Sequence, residues 1–415
     1  MRASDVKAWR RRAAAAAVAL AMAPGLAADE NPAMAPALAD LGQALLRQAG
    51  GPNAVVSPVA TAVALGLVQA GANGAAETEI EALFGPGRTG TRALRQTLPA
   101  LVRQMQGNSS AAAASPLILA ARLWVDSAAA PTVPAAYTQR LSSRWQADAQ
   151  RVSFAQSEAT RTQINAWTAD RTGGRIKDLL SAGSVSAATQ MALTAAVYFR
   201  SPWAKPFDPA QTTARPFKTA AGASKDVPTM VDERAVLQAR VDGHLVIELP
   251  FAPTGAAGSS GFALLVAVPD EGTAAAAEPG FTGAQLSRWR AALQPLKCEL
   301  ALPRFAIAPQ PASLKAALQG LGVKTVFTDA ADLRPMLGRQ ARQMHLDDLH
   351  HAAGITVDEE GGVAVAAAAA TVRAKSLALP LPRCAVDRAF AFALVHLASG
   401  APVFVGRVGD PLLRE

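Results

Sequence analysis

Near the C-terminal end of the 415-residue chain, Arg373 and Lys375 stand before Ser376, and the Lys375-Ser376 bond is of the kind a trypsin-like protease cuts. The chemistry on offer there is that of a substrate, a backbone carbonyl beside a cationic side chain. Residues with chemistry of their own are scattered. The five histidines, His244, His345, His350, His351 and His396, come without a G-x-S-x-G elbow, an H-E-x-x-H helix or a Walker motif. The run GPGRTG at 85–90 matches a dinucleotide fingerprint by letter, yet it follows a helical stretch and contains Pro86, so it is rejected. Cys298 and Cys384 have no CxxC or Cys/His spacing for zinc; two buried thiols fit them, and in an exported protein so does a disulfide. Catalysis by this chain is therefore not expected, and neither a cofactor nor a metal is expected.

The stretch that presents the basic bond is EEGGVAVAAAAATVRAKS, 359–376. After Glu359 and Glu360, Gly361 and Gly362 form a hinge free of Cβ restrictions. As a strand, the following run would place Gly362, Ala364, Ala366, Ala368 and Ala370 on one side and Val363, Val365 and Thr371 on the other. Small residues on one face, β-branched ones on the other and no proline from 336 to 379 leave the segment acceptable to a crowded sheet. Taken alone it also reads as an alanine-rich linker or a short helix.

Half the residues are apolar and few are aromatic, which allows one large core packed with small aliphatics. Residues 1–27 read as a secretory leader: a basic stretch ending Trp9-Arg10-Arg11-Arg12, an apolar run Ala13 to Ala23, then small residues. Its arginine run is an incomplete twin-arginine signal. The leader carries five basic residues and one acid, so half of the formal charge of +8 belongs to it. What remains shows no basic cluster interleaved with aromatics, and no nucleic-acid partner is expected. No later apolar run approaches membrane-spanning length, so no membrane association is expected once the leader is gone. Abundant alanine and arginine behind such a leader suggest a bacterial source.

Along the chain, 32–48 reads as an amphipathic helix, and 53–83 as a short strand, a helix started at Ser57-Pro58 and a further helix. PLILAARLWV (116–125), MALTAAVYF (191–199), VPTM (227–230), VIELPF (246–251), FALLVAVPDE (262–271), ELALPRFAI (299–307) and MHLDDLHHAAGITVDEE (344–360) read as strands. TQINAWTADR (162–171) is a helix ended by Gly173-Gly174, in which Trp167 reads as packing.

ITVDEEGGVAVAAAAA together with FAFALVHLASGAPVFVGRVGDP resembles the reactive-loop hinge and C-terminal strands of the serpin family, and the Ser57-Pro58, TQINAWTADRTGGRIKDLL and MALTAAVYFRSPWAKPFDP segments resemble that family too. The resemblance covers nearly all of 34–411 as a single domain. It implies an α+β fold with three sheets, a large mixed sheet A and sheets B and C, about nine helices and an exposed reactive-centre loop over 359–381. The implied function is suicide inhibition of a trypsin-like serine protease by a monomer, which acts covalently on its target once secreted or periplasmic. Counting 14 residues on from Gly361 puts the reactive bond at Lys375-Ser376, with Arg373 as the alternative. The 162–171 helix becomes the gate lying across sheet A. Ser57, Trp203, Arg304 and His351 take structural roles at the sheet opening, with an Arg304–Glu359 salt bridge beside Trp203. Cys298 and Cys384 fall on adjacent strands of a small sheet, within reach of a disulfide that would pin its edge strand.

Three departures bear on function. Ala60 and Ala195 stand where many serpins place a serine and an asparagine beside the histidine at 351, and Gly362 replaces the usual threonine at the first inserting position. The His351 network is expected to be reorganised or partly missing. Two alternatives remain: a serpin-fold binding protein cleaved as an ordinary substrate, and an exported hydrolase using a serine and a histidine.

Overall fold

The computed structural model describes residues 34–106, 115–130, 132–253, 261–272, 280–338, 343–361 and 380–413. The expected leader, the bond at Lys375-Ser376, its alternative at Arg373, and the hinge positions Gly362, Val363, Ala364, Val365 and Ala366 lie outside them.

Fifteen strands are described: β1 (Asn53–Val56), β2 (Leu117–Asp126), β3 (Asp148–Val152), β4 (Met191–Phe199), β5 (Thr213–Lys218), β6 (Ser224–Val241), β7 (His244–Pro250), β8 (Phe262–Pro269), β9 (Gln294–Pro303), β10 (Phe305–Ile307), β11 (Ala312–Ser313), β12 (Asp348–Val357), β13 (Arg383–Ala385), β14 (Phe390–His396) and β15 (Pro402–Val408). Six of them form a mixed sheet in the order β10-β12-β4-β2-β3, with β11 also on β12. The other nine run β1-β15-β14-β8-β7-β6-β9-β13, with β5 on β6. The expected sheets B and C thus meet on one strand. β6 is 18 residues long; residues 224–229 pair with β5, 229–238 with β9 and 237–241 with β7. About nine helices surround the sheets among the described residues, the consecutive turns from Arg88 to Gln106 being taken as one.

The core follows from the sequence. The helix Pro58–Gln69 has no polar face, and all its residues are buried, as a helix apolar all round must be. Ser57 caps it by accepting the Ala60 N–H at 3.1 Å, with proline at the first helical position. β4 is apolar on both faces because it is covered on both: the Pro58–Gln69 helix packs on one side, and on the other the helix Ser157–Arg171 lies over β2. That helix stops where Gly173 and Gly174 take positive φ, at 59° and 74°.

Candidate functional site

The strand that leads to the hinge is β12, which sits beside β4. The two are directly paired in parallel, from Asp348 with Ala192 to Gly354 with Tyr198. On its other side β4 is antiparallel to β2. The junction between β12 and β4 is therefore a parallel seam in the middle of the sheet.

His351 sits on this seam opposite Ala195. Its ring is 2 % exposed; Nδ1–H donates to the Ala195 carbonyl at 2.9 Å, and Nε2 accepts the Ser57 N–H at 3.1 Å. Both ring nitrogens are satisfied by main chain. Ser57 also donates its hydroxyl to the Val403 carbonyl at 2.7 Å. The expected reorganisation takes this form: the small residues at 60 and 195 leave backbone groups to serve the imidazole. Burial pushes the His351 pKa down to about 4, so the ring is neutral around neutral pH.

Where β12 ends, the chain is clasped. Asp358 Oδ1 accepts the N–H groups of Glu360 and Gly361, each at 3.0 Å. The turn after β4 then takes hold of the same residues. Trp203 N–H donates to the Glu360 carbonyl at 2.9 Å, Trp203 Nε1–H to the Asp358 carbonyl at 2.8 Å, and Phe207 N–H to the Glu359 carbonyl at 2.8 Å. Trp203 is buried and stacked on Phe251, with ring centroids 4.3 Å apart. Gly361 has φ 94°, and a Cβ there would lie 2.6 Å from Trp203 N and 2.7 Å from Ser201 O, so only glycine fits this turn.

Glu359 is held on its side chain as well: its carboxylate accepts the Thr212 hydroxyl at 2.6 Å and lies 3.4 Å from Arg304 Nε. Arg304 is half exposed, so the ion pair itself adds little. The hinge residues Glu359, Glu360 and Gly361 are thus anchored at the top of the seam.

Several members of this site carry no motif. Arg234 braces the clasping turn by donating to the Lys205 and Pro206 carbonyls and stacking over Phe207 at 3.8 Å. Asp347 accepts the N–H groups of Gln190 and Met191 at the start of β4. Asp358 and Thr212 join them. Isolated polar residues in strands and turns announce no such partners; the glycine pair at 361–362 is the one local signal nearby.

The helix Ser157–Arg171, expected as the gate, rests on the sheet. Its Asn165 exchanges two hydrogen bonds with the main chain of Leu180, at 2.9 and 2.8 Å. Trp167 is half-buried, edge-on to Trp124 at 5.5 Å, with the Arg122 guanidinium 4.4 Å from its ring centroid. Cys298 on β9 and Cys384 on β13 are joined as a disulfide, with Cα atoms 6.0 Å apart. β13 is only three residues long and pairs with β9 alone, so the bond ties the first strand after the loop segment to its neighbour. Among the described residues no group of three or more acids, histidines or cysteines could hold a metal, and no helix is long and apolar enough to cross a membrane.

The family model described as "Serpin (serine protease inhibitor)" matches residues 37–411. Serpin-Z2B of Triticum aestivum is 30% identical over 374 residues, covering 87% of this chain and 90% of that one. Neuroserpin of Gallus gallus is 29% identical over 283 residues, 66% of this chain and 67% of that one. These relatives are a plant and an animal protein and lend no support to a bacterial source. Among solved structures, thyroxine-binding globulin in complex with thyroxine superposes with a TM-score of 0.78 at 20% identity, covering 92% of this chain and 99% of that one. With the family model spanning residues 37–411, nearly the whole described chain, the chain belongs to the serpin family.

Proposed function

We propose that this protein is a suicide-substrate inhibitor of trypsin-like serine proteases, secreted or periplasmic after removal of residues 1–27 and active as a monomer. The observation that carries the reading is the parallel seam between β12 and β4, one strand of which leads into the hinge. A strand inserted there would be antiparallel to both neighbours. One parallel pairing would give way to two antiparallel ones, which are slightly more stable per residue.

In this reading the target's catalytic serine attacks the Lys375 carbonyl, the peptide bond to Ser376 breaks, and an acyl-enzyme forms. Lys375 suits a specificity pocket that holds an acid. The freed loop then enters the seam from Gly362 and carries the bound protease with it. About a dozen new ladder bonds at roughly 1 kcal/mol each supply a driving force on the order of 10 kcal/mol. Hinge residues 362–366 bring neither charge nor proline to the seam, while Gly362 lowers strand propensity at the first position.

The second reading is a serpin-fold binding protein cleaved as an ordinary substrate; the likeness to a globulin that binds thyroxine favours it. Mixing the mature protein with trypsin separates the two. A complex that survives SDS, with a new N-terminus at Ser376, supports inhibition. Clean cleavage without complex favours the second reading, and a new N-terminus at Ala374 would move the reactive bond to Arg373. The mass of the exported protein tests the leader.

A further inference from the structure

At one end of the nine-stranded sheet, five segments meet around a cavity of about 410 Å³: the approach to β1, the turn between β5 and β6, the end of β8, the approach to β14 and the end of β15. That volume lies within the range of ordinary small-molecule sites. Phe390 and Val408, both buried, give it an apolar floor, which Pro52, Pro269 and Ala389 extend. The charges of the lining are unevenly spent. Asp270 is paired with Arg240 and Glu271 with Arg388, while Arg407 donates to the carbonyls of Leu46, Ala49 and Gly51. Lys218 is exposed and has no ion-pair partner among the described residues. The backbone sets it beside Arg388. Lys218 N–H donates to the Asp387 carbonyl at 2.8 Å, and its carbonyl accepts the Ala389 N–H at 2.9 Å, a parallel bridge that places residues 218 and 388 directly opposite with their side chains on one face. Two cations so placed repel each other. Arg388 draws on Asp387 at 2.9 Å and on the exposed Glu271 at 3.3 Å; no described carboxylate does the same for Lys218.

We infer that this cavity binds a small monocarboxylic acid with an aromatic or branched apolar body. The carboxylate is held between Lys218 and Arg388 and relieves the repulsion of that cross-strand pair, and the body covers Phe390 and Pro269. One negative charge suits the lining: a phosphate ester or a polyanion brings further charge against Asp270 and Glu271. A neutral ligand leaves the two cations facing each other, and an inorganic anion leaves the apolar floor wet.

The inference stands apart from protease inhibition and is tested by binding alone. The probe is naphthalene-2-carboxylate, titrated calorimetrically at pH 7 into the native full-length protein. The expected result is one saturable site, weakened about fivefold or more by Lys218→Gln and about tenfold or more by the K218Q/R388Q double variant. Ala220→Trp, at an exposed position of the lining, should obstruct the site to a similar degree. Lys177→Gln, outside the cavity, should change nothing. Because Arg388 also serves Asp387 and Glu271, Lys218→Gln and Ala220→Trp decide the matter if the double variant fails to fold. The uncharged naphthalene-2-carboxamide and the dianionic 2-naphthyl phosphate should each bind about tenfold or more weakly than the carboxylate. Non-saturable binding, an affinity untouched by Lys218→Gln or by Ala220→Trp, or equal binding of the carboxamide would overturn the assignment. Tighter binding of the phosphate would overturn the choice of a monocarboxylate.

Discussion

At His351 a neutral imidazole is enclosed on the seam, and the pH dependence of stability follows from its displaced pKa. In the unfolded chain the ring titrates near 6.5, in the folded one near 4. The folded state resists the proton that the unfolded state accepts, so this contribution is complete above about pH 6.5 and is lost as pH falls toward 4. The full effect is on the order of 3 kcal/mol. Urea unfolding at pH 7 and pH 4.5 checks it: His351→Gln should be less stable than the parent at pH 7, and the gap should narrow at pH 4.5. His350 and His396 are also pushed down by burial, which is why the comparison is made against the variant. Gly361 makes a second residue-scale case. Gly361→Ala forces a Cβ against Trp203 N at positive φ, and the clasp should yield at a cost of about 1–3 kcal/mol. A lower melting temperature, together with faster proteolysis of the hinge, would register it; an unchanged melt would show that the turn rearranges freely.

The gate helix and β13 act as elements. Asn165 pins the helix Ser157–Arg171 to the chain after it, since its side-chain amide bonds both main-chain groups of Leu180. Asn165→Ala leaves the Leu180 N–H buried without its partner, while the carbonyl keeps Arg161 Nη1 at 3.2 Å, at a cost of about 1–3 kcal/mol. Amide exchange should quicken in the Ser157–Arg171 helix while β14 and β15 keep their protection. In the nine-stranded sheet, β13 has three residues, one neighbour and a disulfide. An intact loop that entered the seam along its full length would have to draw β13 off β9. Under the inhibitory reading, Cys298→Ser should therefore speed the uncleaved protein's conversion to a form that no longer captures trypsin, seen as loss of complex during warm storage. Equal rates with and without the bond would remove β13 from that path.

For the whole molecule, much of this architecture could be read in the sequence, and the exceptions have physical causes. β4 and the Pro58–Gln69 helix show as uninterrupted apolar runs because burial on all sides leaves no polar face. The helix ending at Gly173-Gly174 shows because left-handed φ selects glycine. The union of two sheets on β6 does not show: VPTM marks a strand, but continuation through Asp232, Glu233 and Arg234 depends on pairing with β9, a contact between residues far apart in sequence. The main-chain service to His351 was hidden for a related reason. Ala60 and Ala195 suggest a loss when side chains alone are counted, whereas the carbonyl of Ala195 and the N–H of Ser57 exist whatever the residue type. Asp358 and Thr212 stayed silent because nothing in their residue types names the backbone N–H groups and the carboxylate they bond.

The clasp at the top of the seam sets a race. Under the inhibitory reading, the hinge must shed its bonds to Trp203, Phe207 and Thr212 before water hydrolyses the acyl-enzyme. Any target that deacylates first leaves intact and consumes one inhibitor molecule for nothing. The tightness of the clasp is then a dial between shelf life and yield: a firmer grip preserves the uncleaved protein, and a looser one lowers the number of molecules spent per protease captured.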